Sequence, residues 1–177
     1  MAGEEMRNII LCGFMATGKS SVGKRLAKIV KYEFVDMDSL IEAEEGIAIP
    51  EIFSSRGEPA FRALESRMVE RIAEWTRCVV ATGGGTIVNP KNLETLKRCG
   101  VVITLTADMQ TILTRAGKAD TRPMLQGGNI LERIRSLLEQ REPFYSRADI
   151  VFDTSSLTIN EAAHRLVGRL REFGYNL

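Results

Sequence analysis

Eight residues near the start carry the clearest chemistry. Gly13-Phe14-Met15-Ala16-Thr17-Gly18-Lys19-Ser20 fits the spacing G-x-x-x-x-G-K-[ST]. The apolar run Asn8 to Cys12 precedes it, and a stretch with helical spacing, Lys19 to Val30, follows it. That strand–loop–helix setting is what the motif needs. A loop of this kind turns backbone N–H groups toward phosphate oxygens, and the helix N-terminus adds partial positive charge. Lys19 would reach the β- and γ-phosphates, and the Ser20 hydroxyl would ligand Mg²⁺. A plain glycine turn between strand and helix is the bland alternative.

Asp36-Met37-Asp38 follows a second short strand at Phe34-Val35. In an extended segment, a two-residue spacing puts both carboxylates on one side. One can serve a metal shell, and the other can accept the proton of an attacking hydroxyl. Asp38 could instead cap a helix starting near Ser39. Arg62 and Glu65, three apart, share a helix face, so the acid can orient the guanidinium toward an anion. As an ordinary exposed pair they would be worth little. Gly83-Gly84-Gly85 ends the apolar strand Cys78 to Ala81, and glycines there let a ligand approach the main chain. Arg122 precedes Pro123 in a polar loop from Gly117 to Gly128, and Arg141 ends a helix before Pro143. A loop arginine near a phosphate loop can stabilise a transferring phosphoryl group.

Alternating elements must position these groups. Strands are expected at Asn8–Cys12, Phe34–Val35, Cys78–Ala81, Val101–Leu105 and Ile150–Phe152, with helices between them. Strands separated by helices imply parallel crossovers and a doubly wound α/β sheet, with ligands beyond the carboxyl ends of the strands. The glycine-flanked segment 117–128 is the candidate mobile lid.

The chain of 177 residues is read as one domain, 1–177, with 44% hydrophobic and 27% charged residues. A net charge of +1 argues against nucleic acid or an acidic membrane as partner. Cys12, Cys78 and Cys99 are far apart, which excludes CxxC zinc and redox motifs. The acidic N-terminus does not read as a signal peptide, and the apolar runs are too short to span a bilayer. A cytoplasmic monomer is expected.

Taken together, the motifs resemble the shikimate kinase family from Arg7 to about Arg171. They are the phosphate loop, Phe34-Val35-Asp36-Met37-Asp38, Glu51-Ile52-Phe53, Gly57-Glu58-Pro59-Ala60-Phe61-Arg62 with Glu65, Thr82-Gly83-Gly84-Gly85, Arg122-Pro123-Met124-Leu125 and Arg141-Glu142-Pro143-Phe144-Tyr145. The resemblance implies a three-layer α/β fold, a five-stranded parallel sheet flanked by helices, with a mobile lid. It also implies transfer of the γ-phosphate of ATP to the 3-hydroxyl of shikimate, with Mg²⁺.

By that resemblance Asp38 polarises the accepting hydroxyl, and Asp36 sits near Mg²⁺ beside Ser20. Arg62 and Arg141 grip the shikimate carboxylate, with Glu65 behind Arg62. Gly83, Gly84 and Gly85 line the acceptor side, and Phe53 and Phe61 wall it. Gly13, Ala16, Thr17, Gly18, Lys19, Ser20 and Ser21 face ATP, Arg115 packs on adenine, and Arg122 is the lid arginine. Two departures stand out: Ala16 where glycine is frequent, and Met124 where leucine is usual. The competing readings are a gluconate kinase of the same fold, a nucleoside monophosphate kinase, and a non-catalytic shikimate-binding module. The first would not need both carboxylate-gripping arginines. The second needs a base pocket that the sequence does not reveal. The third has no need of Lys19, Asp38 and Arg122 together.

Overall fold

Six consecutive residues of β1 (Asn8–Gly13) are buried because the strand lies at the centre of its sheet. The computed structural model describes residues 7–116 and 130–177. In it β1 pairs with β3 (Cys78–Ala81) on one side and β4 (Gly100–Thr106) on the other. β2 (Glu33–Asp36) lies outside β3, and β5 (Ile150–Asp153) outside β4. The order is β2-β3-β1-β4-β5, and every pairing is parallel. The five-stranded parallel α/β sheet expected from the alternation of elements is present.

Strand alternation divides the core in two. Ile9 and Leu11 point with Val79, Val101 and Ile103 toward α1 (Lys19–Val30) and α7 (Ile159–Glu172), meeting Val22, Leu26, Ala163, Leu166 and Leu170. Ile10, Cys12, Val80 and Val102 point the other way. There they meet residues of α2 (Met37–Glu45), α3 (Ile49–Ile72), α4 (Pro90–Cys99), α5 (Met109–Ala116) and α6 (Ile130–Tyr145). Each buried Ile or Leu contributes about 1.5–3 kcal/mol relative to exposure. Two covered faces are therefore why the strands read as unbroken apolar runs.

Local chemistry sets several boundaries away from the sequence reading. The helix expected near Ser39 starts at Met37, because Asp36 rather than Asp38 is its N-cap: the Ser39 N–H donates to Asp36 Oδ1 at 3.3 Å. Asp38 thus sits in the first helical turn, not on an extended segment. The long helix of residues 49–72 contains a break at Gly57, with φ 79° and ψ 168°. That left-handed φ suits glycine, and Pro59 then opens the second half of the helix. α6 does not end at Arg141. It runs through Pro143 to Tyr145, because a proline in the last turn forfeits only its own N–H bond while Tyr145 is held by buried contacts beyond it. A short 3₁₀ turn, Thr86–Val88, follows the glycine triplet. His164 lies exposed on α7, as a surface role requires. Among the described residues no helix is long and apolar enough to cross a membrane.

Candidate active site

All strands run the same way, so their carboxyl ends gather the phosphate loop, Asp36, the glycine triplet and Thr154 at one edge. They open into a cleft of about 660 Å³. Every sequence-predicted site residue among the described residues lines it, except Gly13, which lies beneath the loop. Arg122 and the expected lid lie outside the described residues.

The loop is built by backbone conformations few residues tolerate. Gly13 has φ 128°, and a Cβ there would sit 2.2 Å from the Leu105 carbonyl oxygen. Gly18 has φ 97° and stands as N-cap of α1. Ala16 has φ 61°, a left-handed conformation that costs a non-glycine residue about 1–2 kcal/mol. Glycine would take that conformation without this cost. The Thr17 hydroxyl donates to Phe14 O at 2.8 Å, and Lys19 Nζ donates to the carbonyls of Gly13 and Phe14 at 2.9 and 2.8 Å. These bonds hold the ammonium at the loop.

Ser20 Oγ donates to Asp36 Oδ2 at 2.7 Å. Two hard oxygen donors side by side at a phosphate loop fit Mg²⁺, which takes few protein ligands and fills its shell with water and phosphate. No cluster of three or more His, Cys, Asp or Glu that could hold a metal occurs among the described residues.

Asp38 lies deeper. Its Oδ1 is buried and has no hydrogen-bond partner among the described residues. A Cβ built on Gly83 would fall 3.1 Å from that oxygen and 2.5 Å from Glu65 Oε1. Burial, then the charges of Glu65 and Asp36, push the Asp38 carboxyl up from 3.8 to about 6, against the pull of Lys19. At neutral pH it is an ionised acceptor of modest basicity in the wall of the cleft.

The arginines flank the triplet. Arg62 Nη1 donates to Glu65 Oε2 at 2.6 Å, while Nε and Nη2 donate to Glu58 Oε1 at 3.1 and 2.7 Å. Glu65 is 1% exposed, and the Thr86 hydroxyl donates to its other oxygen at 2.7 Å. A Cβ on Gly85 would strike the Arg62 guanidinium at 2.4 Å, and one on Gly84 would lie 3.2 Å from Arg141 Nη1. A side chain at either glycine would press on a guanidinium that rests against the main chain, hardest at Gly85. Phe53 and Phe61 pack at 4.8 Å between ring centroids, and Arg62 lies over the Phe61 ring.

Arg115 reaches across to the loop: Nη1 donates to Thr154 Oγ1 at 3.3 Å and Ala16 O at 3.4 Å, and Nη2 donates to Thr154 O at 3.2 Å. Thr154, 2% exposed, has its hydroxyl 2.9 Å from the carbonyls of both Thr17 and Thr106. Sequence reading missed Thr154, Thr86 and Glu58 as site residues, and Tyr145 stood in a quoted motif with no role. An isolated threonine carries no spacing signal. Only the sheet order brings residue 154 beside residue 17.

A parallel sheet with a phosphate loop at its central strand and a carboxylate beside it defines a P-loop kinase. The shikimate kinase family model matches residues 15–171. The shikimate kinase of Thermodesulfovibrio yellowstonii is 44% identical over 162 residues, 92% of this chain and 94% of its own. The structure of Acinetobacter baumannii shikimate kinase in complex with shikimate superposes with a TM-score of 0.92 at 34% identity, covering 97% of each chain. The chain belongs to the shikimate kinase family. A gluconokinase from Sinorhizobium meliloti, 17% identical with a TM-score of 0.59 over 97% of this chain and all of its own, shares the fold alone.

Proposed function

We propose that the protein transfers the γ-phosphate of ATP to the 3-hydroxyl of shikimate, giving shikimate 3-phosphate and ADP. The observation that carries this reading is one cluster. Asp38 Oδ1 is buried and unpartnered beside Gly83, with Lys19 on the phosphate side and Arg62 and Arg141 at the next two glycines. An acceptor with a carboxylate at one end and a hydroxyl at the other suits that spacing of charges. Gluconate also carries a carboxylate, so what favours shikimate over it is the match to the shikimate kinase family, against 17% identity to the gluconokinase.

In this reading the N–H groups of residues 13–20 cradle the phosphates, and Lys19 balances the charge on the β- and γ-oxygens. Ser20 and Asp36 would hold Mg²⁺, which would supply further charge neutralisation for the phosphates. Arg62 and Arg141 bind the acceptor carboxylate through their planar forks, and Glu65 and Glu58 set the angle of the Arg62 fork. Phe53 and Phe61 present an apolar wall to the ring. Asp38 takes the hydroxyl proton as that oxygen bonds to phosphorus and the bond to the departing ADP oxygen breaks. Its carboxylate then returns the proton to water. Arg115, tied to Thr154 and the loop, borders the nucleotide end, and Arg122 acts as lid arginine.

The regiochemistry of the product tests this. Phosphorus NMR of a reaction with ATP and shikimate should show one new monoester coupled to the proton on carbon 3. A monoester at carbon 4 or 5 would overturn the placement of the 3-hydroxyl at Asp38.

A further inference from the structure

The Arg141-Glu142-Pro143-Phe144-Tyr145 stretch contains a group that the reaction above does not use. Tyr145 is 6% exposed, and its hydroxyl donates to the Gly84 carbonyl at 2.6 Å. The Arg141 guanidinium, one turn earlier on the same helix face, lies beside the Tyr145 phenol at Gly84, where its charge and donors act on the phenolic oxygen. The Tyr145 backbone carbonyl accepts from Thr104 Oγ1 at 2.8 Å, which fixes the residue to the core of β4. A Cβ on Gly84 would lie 3.2 Å from Arg141 Nη1, 3.4 Å from Gly13 O and 3.8 Å from the Tyr145 oxygen. Helix α6, the glycine triplet and the phosphate loop therefore meet around Gly84.

We propose that Tyr145 is a positioning residue that ties Arg141 to Gly84 and so sets one arm of the acceptor-carboxylate clamp. This rests on the shikimate reading of the site. A guanidinium could donate to the Gly84 carbonyl directly, but that carbonyl accepts from Tyr145, whose oxygen keeps lone pairs to accept from Arg141. A hydroxyl between them accepts from the first and donates to the second. Phenylalanine keeps the ring but does neither. Serine or threonine is too short to reach from the helix. Burial pushes the phenol up to about 12, so it keeps its proton at every pH at which the fold would be used. Losing the hydroxyl removes one of the contacts that orient the Arg141 fork and leaves the Gly84 carbonyl short of that donor, while the phosphate loop keeps its own bonds.

Steady-state kinetics on wild type, Tyr145→Phe, Arg141→Ala and the double variant test this. Tyr145→Phe should raise KM for shikimate about tenfold, equivalent to ~1.4 kcal/mol. KM for ATP should stay within about twofold, because the nucleotide side is untouched. Placed on Arg141→Ala, the same change should add less than about threefold, since its route to the substrate is already gone. Full additivity in the double variant, or an equal rise in both KM values, would overturn the proposal. So would an unchanged shikimate KM with a lower Tm, the signature of packing alone. Wild-type enzyme that fails to phosphorylate shikimate would remove the reading of the site and this proposal together. The other outcomes remove the proposal alone.

Discussion

Asp38 ionises against burial and against the neighbouring charges of Glu65 and Asp36, so its charge opposes folding. Its folded pKa near 6 lies above the ordinary 3.8, so the folded chain binds the proton more tightly than the unfolded chain. Stability from this group is fully present below about pH 4 and is lost as pH rises through about 6. Asn removes the charge while keeping the shape, and Asp36, which caps α2, is untouched. Asp38→Asn should therefore melt higher than wild type at pH 7.5 while turning over roughly 10²–10⁴-fold more slowly. Calorimetry beside an ADP-release assay checks both. Near wild-type turnover would remove the proton-acceptor assignment, and a lower Tm would contradict the electrostatic account. Arg62 shows the opposite economy. Its three bonds to Glu58 and Glu65 hold the fork before any substrate arrives, which lowers the ordering cost of binding.

At the scale of elements, Asp36 joins two jobs that a change of side chain can separate. Its Oδ1 caps α2 and its Oδ2 accepts from Ser20. Asp36→Asn keeps an N-cap of equal rank, whereas Asp36→Ala should lose about 1 kcal/mol of stability. Both should weaken the response of activity to Mg²⁺, measured as the concentration giving half-maximal rate. If Asn preserved that response, the carboxylate would not be part of the metal shell. Much of this scale was legible beforehand. The five strands and the phosphate loop follow from apolar runs and glycine positions, although β2 and β4 run one residue further at each end than their apolar runs. The start of α2 was not, because Asp36 and Asp38 are equally good caps on paper. Only the distance to the Ser39 N–H separates them. The course of α6 through Pro143 was also hidden, since a proline usually marks an end and the buried contacts of Tyr145 appear only in the fold.

Across the whole molecule, the sheet order does what local pattern does not. Residues 13, 84, 106, 141 and 154 meet at one edge because β3 and β4 flank β1 and β5 follows β4. Motifs that carry a fixed spacing, such as Gly13 to Ser20, announced themselves in the sequence. Contacts made across strands, such as Thr154 to Thr17 or Tyr145 to Gly84, left no local trace. On the proposed reading, this edge takes shikimate by its carboxylate with the 3-hydroxyl held at Asp38, a spacing on a rigid ring that gluconate and AMP do not offer. The most direct measurement is a coupled ADP-release assay with ATP, Mg²⁺ and one acceptor at a time: shikimate, gluconate or AMP. The account predicts rapid, saturable ADP release with shikimate and release near background with the other two. Comparable turnover of gluconate or AMP, or no turnover of shikimate, would contradict it.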